Sequence, residues 1–308
     1  MLEILFNAHT VKTGINLATP ILLGALGGVI CYKSGIFNIA LEGNMLIGAF
    51  AAIVGSYFFG NAWAGVLLAI VVTVIASLIY GLFCITFRAN VIIVGFGFNM
   101  FALGITGWLL LPVFGGKGSF FDPSTPTVGN LKFSFLENIP VINTLLNGHN
   151  IIVYISWFLV ILLYILLYRT AIGYRMRALG ENPDSLRVSG LRGDFYAYLA
   201  IIISGACCGL GGAYLSIAHL AMFTENMTAG IGFISVTAVI FSKGFILITA
   251  LAGYLFGMAH SIGIQLQGIG LPTQFVEMIP YVLTVLMLIP TAFRIKKIYF
   301  KKADVQVK

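Results

Sequence analysis

Charged side chains are scarce here, at 9% of 308 residues, where a soluble domain carries about 25%. That shortage excludes water as the main solvent of the folded chain. Histidine is rare too, with 4 scattered copies, and no H-E-x-x-H, G-x-S-x-G or G-x-x-x-x-G-K-[ST] pattern occurs. The run Gly115–Ser119 (GGKGS) lacks the strand, spacing and helix that a phosphate loop needs. No catalytic constellation is present, so any ATP that drives this protein is bound by another chain. Of the 4 cysteines, none forms a C-x-x-C pair, and vicinal Cys207 and Cys208 suit neither a metal nor a disulfide. All four read as small apolar packing residues. The start of the chain is too short and too polar for the apolar core of a signal peptide. Insertion is therefore expected to use the first apolar segment, uncleaved.

Hydrophobic residues, by contrast, make up 59% of the chain. At roughly 20 residues per crossing they suffice for about nine passes through a bilayer. The expected fold is all-α: a single polytopic transmembrane helical bundle over residues 1–308, with about 8–10 membrane segments. Nine apolar runs stand out: Thr13–Tyr32, Ile36–Phe58, Ala62–Phe87, Val91–Phe114, Ile151–Tyr168, Tyr196–His219, Met227–Ser242, Phe245–Ile264 and Phe275–Phe293. Only Lys243 and Gly244 separate the seventh from the eighth, which reads as a helical hairpin or a re-entrant piece. Abundant glycine allows helices to approach closely in lipid, as at Gly24-x-x-x-Gly28, Gly205-x-x-x-Gly209 and Gly253-x-x-x-Gly257. The stretch from Gly115 to Asn150 reads as a long loop with a short amphipathic piece near residues 133–142.

Lysine and arginine concentrate in cytoplasmic loops. Residues 169–195 carry Arg169, Arg175, Arg177, Arg187 and Arg192, and the tail 294–308 is also basic. With both inside, nine crossings put Lys33, Arg88 and Lys243 inside as well and leave only Lys12, Lys117 and Lys132 outside. The N-terminus is then external and the C-terminus cytoplasmic. One-sided charge of this kind explains the net +7 without nucleic acid and favours contact with anionic membrane lipid. Leu26–Gly28 (LGG) followed by Leu41–Met45 (LEGNM) is echoed by Leu210–Gly212 (LGG) followed by Thr224–Met227 (TENM). Two readings of the echo stay open: an inverted repeat of the kind transporters use, or chance in glycine-rich membrane sequence.

Polar residues inside a membrane are costly, so they are the first functional candidates. Asn38, Glu42 and Asn44 lie together in Ser34–Met45, and Asn99 sits among Phe96, Phe98 and Phe101. They suit a polar pathway with aromatic stacking surfaces for a heteroaromatic or sugar-bearing solute. The other reading is that Glu42 and Asn38 cap or brace a broken helix. In Arg169–Leu191, Pro183 suits the first turn of a short helix that Gly190 stops, with Asp184 and Arg187 complementing its dipole. Such an exposed helix is suited to docking a cytoplasmic partner, or to resting on lipid headgroups.

Gly173–Leu191 (GYRMRALGENPDSLRVSGL) resembles the ATPase-contacting loop of bacterial ABC importer permeases of the branched-chain amino acid, ribose and nucleoside superfamily. Ser34–Phe50, Phe223–Gly244 and Gly270–Thr284 are similar to its nucleoside-type branch, which works with basic-membrane-protein lipoproteins. Two departures stand out: Gly230–Phe233 lacks the branch's usual arginine, and Phe241–Gly244 replaces its usual F-G-K-W. The resemblance implies an importer in which this chain pairs with a homologous second permease. Cytoplasmic ATPase subunits would hold ATP and magnesium, and an extracellular solute-binding lipoprotein would deliver the solute. It implies no cofactor on this chain. Gly180, Glu181, Asn182, Pro183, Asp184 and Ser185 would receive the ATPase's motion. A pathway near Asn38, Glu42, Asn44, Phe96, Asn99 and Phe233 would open to each side in turn. A stand-alone secondary transporter using Glu42 or Glu225 is the rival reading, followed by a membrane-embedded enzyme or scaffold.

Overall fold

The computed structural model describes residues 8–132 and 147–267, together with Met278 and Val282. Ten helices follow one another in the two long stretches: α1 (Ala8–Lys33), α2 (Leu41–Phe59), α3 (Ala62–Gly81), α4 (Val91–Phe114), α5 (Ile151–Arg169), α6 (Ala171–Glu181), α7 (Pro183–Val188), α8 (Gly193–Ala213), α9 (Ile231–Ser242) and α10 (Ile246–Gln267). α3 and α8 each continue into a π-helical turn, Leu82–Thr86 and Tyr214–Leu220. Among the described residues, seven helices are long and apolar enough to cross a membrane, namely α1 to α5, α8 and α10.

Local chemistry sets their ends. Asn61, Asn90 and Asn150 each stand just before a helix, and their side-chain oxygens accept from Trp63 N, Ile92 N and Ile152 N at 2.9–3.0 Å. Each bond satisfies an N–H that the first helical turn leaves free. These caps explain why α3, α4 and α5 begin where their apolar runs begin. The seventh apolar run behaves differently. Its first residues form a turn in which Asn226 and Ala229 take positive φ, so α9 starts at Ile231 instead of Met227 and has 12 residues. At about 18 Å it is too short for a core of about 30 Å. α9 is a half-helix that begins within the bundle. The expected ninth segment Phe275–Phe293, the amphipathic piece at 133–142 and the tail 294–308 lie outside the described residues, apart from Met278 and Val282.

α1, α2 and α8 form the centre of the bundle, and α4 lies largely at its surface, with 22% of its apolar window buried against 83% for α1. Glycine permits the central packing. A Cβ at Gly205, Gly209 or Gly212 would run into Ser77, Thr73 or the backbone of α2 at Met45. In lipid, where apolar burial gives helices little reason to associate, contact of this closeness is what holds them.

The basic residues gather at one end. The Lys33 ammonium lies 4.6 Å from the centre of the Phe245 ring, Gly244 abuts Tyr32 and Lys33, and Arg88 and Arg192 line one cleft of about 930 Å³. At the far end Phe114 stacks on Phe120 at 3.8 Å and Phe50 packs edge-on against Phe223 at 5.3 Å. There a two-stranded antiparallel pair, β1 (Ser119–Phe120) and β2 (Phe223–Thr224), ties the long loop to the turn before α9. Nearby, Asp122 accepts from Ser124 Oγ at 2.7 Å and Ser124 N at 2.8 Å. Those bonds hold its carboxyl below the ordinary value.

Candidate functional site

Two interruptions of the bundle meet at its centre. The first is Ser34–Ala40, between α1 and α2. Ser34 Oγ returns a hydrogen bond to Ile30 O at 2.9 Å, and Gly35 turns the chain with φ 81°. The Asn38 side chain then accepts from Ala40 N at 2.9 Å and donates to Ser204 Oγ at 3.1 Å, fixing the entry to α2 against α8. Asn99, on α4, completes the work: its Oδ1 accepts from Gly43 N at 2.9 Å and its Nδ2 donates to Ile39 O at 3.1 Å. Backbone groups left open by the first turn of α2, in a place with no water to bind them, are thereby satisfied.

The second interruption is the turn before α9, and Glu42 joins it to the first. Glu42 is buried. Its Oε1 accepts from Thr228 Oγ1 at 2.6 Å and from Gly230 N at 2.9 Å, and its Oε2 accepts from Gly232 N at 2.6 Å. An unpaired carboxylate in an apolar medium is prohibitively costly. Three donors, two of them at the positive end of a helix, offset that cost. Gly232 is required by the same contact, because a Cβ there would collide with the Glu42 backbone. Phe96 of α4 stacks on Phe233 of α9 at 6.1 Å, beside the junction.

Five of the six candidate pathway residues, Asn38, Glu42, Phe96, Asn99 and Phe233, therefore converge where α2, α4, α8 and α9 meet. For Glu42, Asn38 and Asn99 the geometry matches the bracing of broken helices. Asn44 differs. It is fully buried, and neither its Nδ2 nor its Oδ1 has a partner. The two LGG-plus-motif stretches are brought face to face, since Glu42 of LEGNM caps the half-helix that follows TENM. Thr228, Gly230 and Ser204 were not among the sequence candidates. The one signal for Thr228 and Gly230 was polar and glycine residues clustered ahead of an apolar run, and their links to Glu42 span 186 and 188 residues; Ser204, inside α8, reaches Asn38 across 166 residues. Glu225 serves the far end, accepting from Gly118 N at 3.2 Å.

The other candidate group forms a protrusion at the basic end. α6 and α7 are separated by Asn182, whose Oδ1 accepts from Asp184 N at 3.1 Å and starts α7. Pro183 opens α7, and Gly190, with φ 73°, follows its end. Buried Leu186 anchors α7, whereas Glu181, Asn182, Pro183 and Asp184 are exposed. Val188, at the end of α7, is 91% exposed. Gly180, at the end of α6, packs directly on the carbonyl of Lys33 and on Gly35, with no room for a Cβ. The protrusion thus rests on the first interruption itself.

Residues 10–288 match the family described as branched-chain amino acid transport system / permease component. The chain is 32% identical over 290 residues to the guanosine ABC transporter permease protein NupQ of Bacillus subtilis (strain 168), covering 88% of each chain. To the nucleoside ABC transporter permease protein NupC of Lactococcus lactis subsp. cremoris (strain MG1363) it is 31% identical over 298 residues, 93% of this chain and 92% of that one. To the putative glucose ABC transporter permease protein TsgC13 of Haloferax volcanii it is 28% identical, covering 86% and 80%. No solved structure matches.

Proposed function

The chain belongs to the branched-chain amino acid transport system permease-component family, and on that premise we propose that it is one of two transmembrane subunits of an ATP-driven importer for nucleosides. The solute class rests on the two most similar relatives named above, which are called guanosine and nucleoside permeases. A surface of Phe96 and Phe233 beside a polar junction suits a nucleobase with its sugar. The partners are a homologous second permease, cytoplasmic ATPase subunits that hold ATP and magnesium, an extracellular solute-binding lipoprotein and the surrounding membrane lipid. The exposed apolar face of α4, which includes Phe101 and Trp108, is available to the second permease.

One observation carries this reading. Gly180, at the base of the exposed residues Glu181–Asp184, sits on the break that leads, within a few residues, to the Glu42 junction. A push on α6 and α7 reaches the start of α2 through Gly35, and through Glu42 it reaches α9. A half-helix and an interrupted helix entry meeting at the centre of the bundle are the kind of discontinuous elements that form transporter solute sites. Gathering of Lys33, Arg88, Arg192 and Lys243 at the end that bears the protrusion supports a cytoplasmic position for it, with the N-terminus outside.

Co-purification tests the assignment. A tag on this chain should recover an ATPase, and Glu181→Arg with Asp184→Arg should remove most of it while the permease stays in the membrane. Unchanged recovery and unchanged uptake in the double variant would refute the docking assignment.

A further inference from the structure

Buried hydroxyls in this bundle mostly return a hydrogen bond to their own helix. Thr73, Thr106, Ser156 and Thr249 donate to Ala69, Ala102, Val153 and Phe245 carbonyls at 2.6–2.9 Å. Asn44 and Ser77 do not. Both are fully buried, and Asn44 Nδ2, Asn44 Oδ1 and Ser77 Oγ have no partner.

The packing register places the two at one level. Gly48 of α2 meets Thr73 of α3 and Gly209 of α8. One turn nearer the basic end on each helix stand Asn44, Ser77 and Gly205, and Gly205 lies against Ser77. The level therefore has a carboxamide, a hydroxyl and a bare glycine backbone where three helices meet. It carries no charge of its own. Asn44 is also two residues from Glu42, on the helix whose start the coupling segment reaches. Orphaned polar atoms in a native core call for an account of what satisfies them. Here the packed conformation satisfies none of the three.

We infer that Asn44 and Ser77 form a solute-contact site that is closed in this conformation and is filled when α2 moves away from α3 and α8. Rotation of α2 about the Glu42 junction opens the level, and its groups are one donor–acceptor pair and one hydroxyl. They fit a neutral solute that both donates and accepts, through a vicinal diol or a nucleobase edge, and they supply no positive charge to balance a carboxylate or phosphate. The inference rests on the transporter reading and adds the residues that select the solute.

The test uses the complete transporter in proteoliposomes, with guanosine and glucose as probes, and measures uptake, basal ATP hydrolysis and thermal midpoint together. Asn44→Leu removes the orphaned groups at nearly constant volume. It should raise the thermal midpoint, while kcat/KM for uptake falls about tenfold or more, the size of one lost solute contact. Ser77→Ala should act in the same direction and less strongly. Wild-type kcat/KM in both variants would overturn the inference, as would a lowered midpoint in both, which would mean that the two side chains are satisfied in the resting protein. Loss of ATP dependence in the unsubstituted transporter would strike the transporter reading instead, so the two failures are distinguishable. Should Asn44→Leu not assemble, Ser77→Ala alone decides between these outcomes.

Discussion

Glu42→Gln should abolish uptake although it changes one atom. The carboxylate accepts three hydrogen bonds on two oxygens, and the donors come from the turn before α9 and from its first residues. A carboxamide keeps one acceptor oxygen and turns its N–H groups toward another donor, either Gly232 N or the pair Gly230 N and Thr228 Oγ1. At least one buried N–H then faces an N–H. The attraction between the negative charge and the α9 N-terminus goes as well. Leaving a buried donor unsatisfied costs about 1–3 kcal/mol, and more at a charged partner. A loss of about 3 kcal/mol between α2 and α9 corresponds to roughly a hundredfold. Uptake by reconstituted protein should fall by about that factor, with a lower thermal midpoint. Thr228→Val removes a single donor and should cost about 1 kcal/mol. Normal uptake and normal stability in Glu42→Gln would remove the junction from the account.

Gly180→Val should separate ATP hydrolysis from transport. Gly180 is the point where the protrusion touches the first interruption, and a Cβ there would strike the Lys33 carbonyl and Gly35. Valine adds three carbons and forces α6 away from the break. The exposed residues Glu181–Asp184, the proposed docking surface, are untouched, so the ATPase should still bind and hydrolyse ATP. Its motion would reach a joint that no longer meets the break. Overpacking of this kind costs about 1–3 kcal/mol, so uptake should fall at least about tenfold with hydrolysis retained. If hydrolysis and uptake fell in parallel because the ATPase was lost, Gly180 would belong to the docking surface. Unchanged uptake would mean that the contact transmits nothing.

The sequence reveals those parts of this molecule that depend on near neighbours. Asn61, Asn90 and Asn150 sit directly before apolar runs, so the starts of α3, α4 and α5 can be read from capping chemistry. Pro183 and Gly190 frame α7 in the same way, and long apolar runs identify the seven membrane-length helices. The half-helix was harder. Met227–Gly230 reads with the apolar run that follows it, yet it forms a turn with positive φ at Ala229 and Gly230. Costly intramembrane polarity singled out Asn38, Glu42 and Asn99, which the fold brings to one junction. What each one does there depends on partners far along the chain: Ser204, Gly230 and Gly43. Periodicity carries no information about such pairings. The resemblance in Gly173–Leu191 placed the protrusion, whereas the seating of Gly180 on Gly35 was visible only in the fold.

In the proposed importer, ATP hydrolysis by the partner subunit acts through Gly180–Ser185 to move the α2–α9 junction and thereby a solute. This coupling is tested most directly by labelled guanosine uptake into proteoliposomes holding this chain with its ATPase, second permease and binding protein. Accumulation should require ATP on the side that bears the protrusion, and Gly180→Val should abolish it while hydrolysis continues. Accumulation by this chain alone, without ATP and unaffected by Gly180→Val, would contradict the account.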